Sequence, residues 1–164
     1  MTDARPDAPV SCDAATPSPV KFHMKSASGA DYCINNCAGI WVSILPMGSN
    51  TPLVVTRSCT TTCEQCQPIA CDIACIPPQH IKPDGETYTW DGTLWEQSKC
   101  GPQMFACINQ ICSVPAGKYI ARMCANRATG DGGAGSFCMS DPTPTCVDVP
   151  FDYPTSATVE GEIK

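Results

Sequence analysis

Val20, Phe22 and Met24 alternate with Lys21, His23 and Lys25. A period of two in hydrophobicity predicts a half-buried strand there. The runs IWVSILP (40–46) and PLVVTRSC (52–59) are apolar or β-branched, and MGSNTP between them carries Gly, Asn and Pro. Together they predict a hairpin. Residues 31–37, DYCINNC, place Cys33 and Cys37 at i, i+4 and predict a turn or short helical segment. Glu86–Trp90 reads as a strand with Tyr88 and Trp90 on one face, and Asp91-Gly92 ends it in a turn. After Pro115-Ala116-Gly117, Lys118–Cys124 predicts another strand. Tyr119, Ala121 and Met123 share one of its faces, and Ile120, Arg122 and Cys124 the other. Cys146–Phe151 and Thr158–Ile163 predict the closing strands, with Pro150 inside the first and Pro154 between the two. Proline restricts such a strand to a sheet edge or a bulge.

Seven or eight short strands with few helix signals follow. Val, Ile and Thr number 35 against 3 Leu, a bias toward pleated sheet. The expected fold is an all-β antiparallel sandwich. Residues 1–18, rich in Pro, Ala, Asp and Ser, predict a flexible tether, and 19–164 a single domain.

Composition changes this picture in one respect. Leu, Ile, Val and Phe together make 27 of 164 residues, about 16%, below the roughly 20% at which disorder is expected for highly charged chains. Charge is modest here, so cohesion must come from another source. The 14 cysteines supply it: Cys12, Cys33, Cys37, Cys59, Cys63, Cys66, Cys71, Cys75, Cys100, Cys107, Cys112, Cys124, Cys138 and Cys146. Their number is even, so all are candidates for disulfides, and such density implies an oxidising compartment: periplasm, cell surface or medium. The expected pairings are local: Cys33 with Cys37, Cys107 with Cys112, and Cys124 with Cys138 or Cys146.

The net charge of −6 argues against nucleic acid and against anionic membrane surfaces. No Asn-x-Ser/Thr sequon occurs, and no apolar run nears the roughly 20 residues that span a bilayer. Met1 precedes TDARPDAPVSC without an apolar stretch, as expected of a mature chain given an initiator Met. Val10-Ser11-Cys12 is a faint lipobox; membrane attachment, if any, is expected through a lipid anchor upstream.

Trp90-Asp91-Gly92-Thr93 and Val114-Pro115-Ala116-Gly117-Lys118-Tyr119 resemble the WDG…PAGxY signature of Ig-like domains of the flagellar hook-capping type. They are also similar to the sandwich of the intracellular proteinase-inhibitor family. The resemblance covers about 35 residues. It implies that Trp90 packs in a sandwich, that Asp91-Gly92 turns the chain, and that the strand after Gly117 carries Tyr119. It implies no activity. The cysteine-bearing segment 96–113 departs from it, standing where the family has a short polar hairpin. The Pro/Asp-rich leader, dense cysteines and CVDVPFDYP…VEGEI ending also resemble cysteine-rich bacterial surface lipoproteins of myxobacterial type.

Chemical constellations are few. Cys63, Cys66, Cys71 and Cys75 are four thiolates that a tetrahedral zinc site would draw on. Their spacing departs from paired knuckles, and disulfides are the better account. Cys63-Glu64-Gln65-Cys66 lacks the strand–helix context of a thioredoxin-type site. His23 and His80, the two histidines, are expected to be exposed. Asp131 in the Gly-rich TGDGGAGS lacks the further acidic ligands of a calcium loop. Trp41 and Trp90 are expected in the core, and Trp95 is the candidate binding contact. No catalytic residue and no cofactor are expected. The function expected is a non-enzymatic, secreted or surface-tethered binding module. It would present loops 59–85, 93–113 and 125–145 to a protein or glycan partner. The alternatives are a secreted protease inhibitor and a metal-binding or redox protein using Cys59–Cys75.

Overall fold

The computed structural model describes residues 17–27, 30–34, 41–55, 60–67, 78–111, 113–130 and 138–164. Among them there are eleven strands and no helix. In chain order they are β1 (Val20–Ser26), β2 (Tyr32–Ile34), β3 (Val42–Pro46), β4 (Thr61–Thr62), β5 (Gln79–His80) and β6 (Glu86–Trp90). They continue with β7 (Leu94–Cys100), β8 (Phe105–Ile111), β9 (Gly117–Ala128), β10 (Ser140–Tyr153) and β11 (Val159–Ile163).

The strands form three sheets. The first runs β11-β1-β6, with β1 parallel to β11 and antiparallel to β6. The second runs β10-β9-β2-β5, with β3 also paired to β9. The third runs β4-β8-β7, with β4 parallel to β8. The chain is therefore all-β, but two pairings are parallel where an antiparallel arrangement throughout was expected. The strand number exceeds the expected seven or eight because β2, β4 and β5, at three, two and two residues, are too short to leave a periodic signal, and because β7 and β8 were expected as a loop.

The first two sheets share one apolar core. Val20, Phe22 and Met24 of β1 are buried, as their alternation predicts, and so are Tyr119, Ala121, Met123 and Ala125 of β9. Val159 and Ile163 of β11 and Val42 and Ile44 of β3 belong to the same cluster. An aromatic chain runs through it: Phe22 meets Phe151 edge-on at 5.5 Å, Trp90 lies 5.4 Å from Tyr153, and Tyr119 contacts both Phe151 and Tyr153. Such pairs contribute about 0.5–1.5 kcal/mol beyond their burial. At Gly161 the sheets approach so closely that an added Cβ would lie 2.8 Å from Met123 Sδ and 3.0 Å from Val147 Cγ1.

The prolines of β10 fit its position. Pro142, Pro144 and Pro150 lie in a strand that, among the described residues, pairs only with β9, and the ladder shifts register between Ser140 and Pro144. An edge strand and a bulge are the places where a missing N–H is tolerated.

Three local expectations are corrected. Residues 52–55 do not form a strand beside β3; Leu53 N–H donates to Ile44 O, while Val54 O accepts from Trp95 N–H. Pro52 removes one donor from that edge, and residues 56–59 of the expected strand lie outside the described residues. Tyr32–Ile34 is a strand rather than a turn or helical segment, because Cys33 is bridged to Cys138 and not to Cys37. Segment 93–113, expected as a loop, is largely the β7–β8 hairpin. The described parts of 125–145 include the end of β9 and the start of β10. Residues 1–16 of the expected tether lie outside the described residues.

Phe22→Ala is expected to lower the free energy of unfolding by about 3–5 kcal/mol, and Gly161→Val by about 1–3 kcal/mol through overpacking. Lys21→Ala, on the exposed side of β1, should stay within about 0.5 kcal/mol. Urea denaturation of the oxidised protein checks all three.

Candidate functional site

The WDG…PAGxY residues are structural. Trp90 is 1% exposed, and its indole N–H donates to Thr93 O at 2.8 Å. Asp91 Oδ1 accepts from Thr93 N–H at 2.8 Å, the side-chain-closed turn that Asp favours. Gly92 has φ +86°, and an added Cβ would lie 2.6 Å from Tyr153 Oη and 2.8 Å from Ser18 O; no other residue fits there. Tyr119 Oη–H donates to Pro115 O at 2.8 Å, tying the start of β9 to the turn that Gly117 leaves. Burial, and secondarily the neighbouring Tyr153, holds the Tyr119 phenol above its ordinary pKa.

The turn leads into the third sheet. β7 and β8 pair in register from Leu94↔Ile111 to Cys100↔Phe105. Strand alternation puts Cys100 and Cys107 on one face of this hairpin. Both are bridged to a single turn: Cys63 to Cys107 and Cys66 to Cys100. β4 lays Thr61 beside Cys107, which brings Cys63–Cys66 to that face. Apart from Cys107, only Thr61 and Ile108 are fully buried among the described residues of this sheet, and neither belongs to the main core. Glu96, Gln97, Ser98 and Lys99 are exposed. The sheet is thus an arm held by two covalent staples and rooted by the Trp95–Val54 hydrogen bond.

Gly101-Pro102-Gln103-Met104 forms its tip. Met104 N–H donates to Gly101 O at 3.1 Å, and both Gly101 and Met104 have positive φ, +69° and +54°. Gly101 lies against Cys66 Sγ, so the bridge buttresses the turn from beneath. Met104 is 59% exposed, an apolar side chain held out from a braced turn.

The sequence-predicted candidates distribute as follows. Trp95 is half-buried at the root of the arm, less exposed than expected. Trp41 packs beside the core, edge-on to Tyr88 at 6.5 Å. Cys107 pairs with Cys63, not with Cys112. Cys124 pairs with Cys146, one of its two expected partners. Cys63 and Cys66 belong to separate bridges, to Cys107 and to Cys100, and are not paired with each other. Cys12, Cys37, Cys59, Cys71, Cys75, Cys112 and Asp131 lie outside the described residues. His23, half-buried, shares a hydrogen bond with Thr87 Oγ1 at 2.9 Å. His80 belongs to β5 rather than to a loop, with Nδ1 2.9 Å from Asp31 Oδ1. A cleft of about 600 Å³ lies among Ser18, Lys21, Thr155, Ser156 and Thr158, lined also by two prolines; it contains none of the predicted residues. Met104 and its turn carry no sequence signal except that Pro102 follows Gly101.

On the outer face of the second sheet, Arg122 Nε and Nη2 donate to the two carboxylate oxygens of Asp148 at 2.8 and 2.7 Å. That hydrogen bonding holds the Asp148 carboxyl below the ordinary carboxylate range. A lowered folded-state pKa contributes stability above the unfolded value, near 3.9, that is lost as pH falls through the folded value. Asp148→Asn should therefore be slightly less stable than the parent at pH 7, with the difference vanishing toward pH 2. Thermal denaturation across that range checks it.

Comparison of the chain with protein-family models, with curated proteins and with solved structures finds no match in any of the three.

Proposed function

We propose that this protein is a non-enzymatic interaction module of an oxidising compartment, periplasmic, extracellular or at the cell surface, and that the β7–β8 arm is its binding element. The two facing sheets are read as an Ig-like sandwich that serves as scaffold. The buried Trp90, the Asp91-Gly92 turn and Tyr119 support that reading. Four disulfides among the described residues support the compartment. The observation that carries the functional reading is the tip: an exposed Met104 on a turn buttressed by Cys66–Cys100.

Rigid presentation matters because ordering a loop on binding costs free energy that a preorganised turn avoids. An unbranched, polarisable methionine adapts to an apolar recess, which favours a protein over a glycan as partner. An inhibitor that fills a protease cleft is less well supported at this place. The 101–104 segment is a closed turn, whereas a cleft of that kind takes an extended strand.

Met104→Asp, or replacement of 101–104 by Asn-Gly, is expected to reduce retention of the labelled protein on whole cells and extracts about tenfold. That matches loss of one interface anchor, about 1.4 kcal/mol. Met47→Asp, at another exposed turn, should leave retention unchanged. Equal retention of the parent and both arm variants removes the arm as the binding element.

A further inference from the structure

We propose that the Cys124–Cys146 bridge is a thiol-exchange site, which takes up a small thiol at Cys146 while the fold stays intact. Three observations carry this, and none depends on the arm.

The first is access. Cys33 and Cys138 are 1% and 4% exposed, and Cys107 of the third bridge is 1% exposed. Its partner Cys63, and Cys66 and Cys100 of the fourth bridge, are half-buried. Cys146 alone among the eight described cysteines is exposed. It stands on the outer face of edge strand β10, where no further strand pairs among the described residues. Exposed bridges are the ones that exchange.

The second is redundancy. Cys124 and Cys146 are direct cross-strand partners, Cα to Cα 4.1 Å. The ladder beside them runs unbroken from Pro144↔Asn126 to Tyr153↔Gly117. On its inner side Met123 and Ala125 are locked in the core. The strands are held by backbone hydrogen bonds and packing whether or not this bridge is closed. By contrast Cys33–Cys138 joins residues 105 apart, and the arm bridges are its sheet's main cohesion.

The third is charge. Arg122 lies two residues from Cys124 on the same face, and Asp148 two residues from Cys146. Arg122 and Asp148 are joined in a bidentate ion pair, so no net negative charge beside the bridge repels an incoming thiolate. Access thus selects the direction of attack, since Cys146 is exposed and Cys124 half-buried. The incoming thiolate attacks Cys146 Sγ, the Cys124–Cys146 bond breaks, and Cys124 Sγ leaves with the electron pair and then takes a proton. The product is a mixed disulfide at Cys146 and a thiol at Cys124, with no net oxidation. A second small thiol attacking the mixed disulfide releases the symmetrical small disulfide and leaves Cys146 reduced.

The test treats the oxidised, full-length protein with millimolar reduced glutathione without denaturant. Samples are quenched in acid, alkylated and peptide-mapped over time, with near-ultraviolet circular dichroism in parallel. Alkylated Cys124 and glutathione-bearing Cys146 are expected at least tenfold faster than labelling of Cys33, Cys138, Cys63, Cys107, Cys66 or Cys100, with the circular dichroism signal retained. Three results would overturn the proposal: another of these bridges opening as fast, opening of Cys124–Cys146 only as the native signal is lost, or glutathione found chiefly on Cys124.

Discussion

The apolar cluster that joins the inner stripes of β1 and β9 governs the rest of the molecule. β9 is paired along both edges, with β10 on one side and with β2 and β3 on the other. Its inward residues Tyr119, Ala121, Met123 and Ala125 share one apolar cluster with Val20, Phe22 and Met24, and Phe151 touches both Phe22 and Tyr119. Alternation along each strand means that one register fills this interface, since a slip of one residue would turn Lys21, His23 and Lys25 inward. Gly161 sets how closely the sheets approach. The Trp90 turn fixes where the first sheet ends, because Gly92 fits only against Tyr153 and Ser18.

The third sheet obeys a different rule. It has too little buried apolar surface of its own, and its strands are polar on the exposed side. Two bridges that each close a loop of tens of residues, at separations of 44 and 34, take the place of a core. On the chain-entropy model each contributes about 4 kcal/mol by restricting the unfolded ensemble. The Cys33–Cys138 bridge, spanning 105 residues, contributes somewhat more, about 4.7 kcal/mol, and anchors the short strand β2 to the start of β10. Cohesion that a leucine-poor chain lacks is thereby placed where apolar packing is thinnest.

What was legible in the residues followed the same division. Strands with a buried face announced themselves: Val20–Lys25, the 118–124 run and Glu86–Trp90 all alternate, and all lie in the shared core. The Pro-bearing β10 could be placed at an edge or bulge because proline lacks the ladder N–H. The arm could not be read, because Glu96–Lys99 has no apolar period and its partner strand lies beyond a turn. Bridge partners were illegible for a topological reason: Cys33 and Cys138 meet only once β2 and the β10 entry are placed. Local spacing therefore misdirected Cys33 to Cys37 and Cys107 to Cys112. The braced tip at Met104 depends on those same long-range bridges, so no reading of neighbouring residues would find it.

The central claim is that two sheets are held by a common apolar core and the arm by its disulfides. Hydrogen exchange on a variant with Cys63, Cys66, Cys100 and Cys107 all replaced by Ala tests it directly. Amides of β1 and β9 should keep the protection they have in the parent, while those of β7 and β8 exchange at rates near an unstructured chain. Uniform loss of protection across β1, β9 and the arm, or an arm as protected as in the parent, would contradict the account.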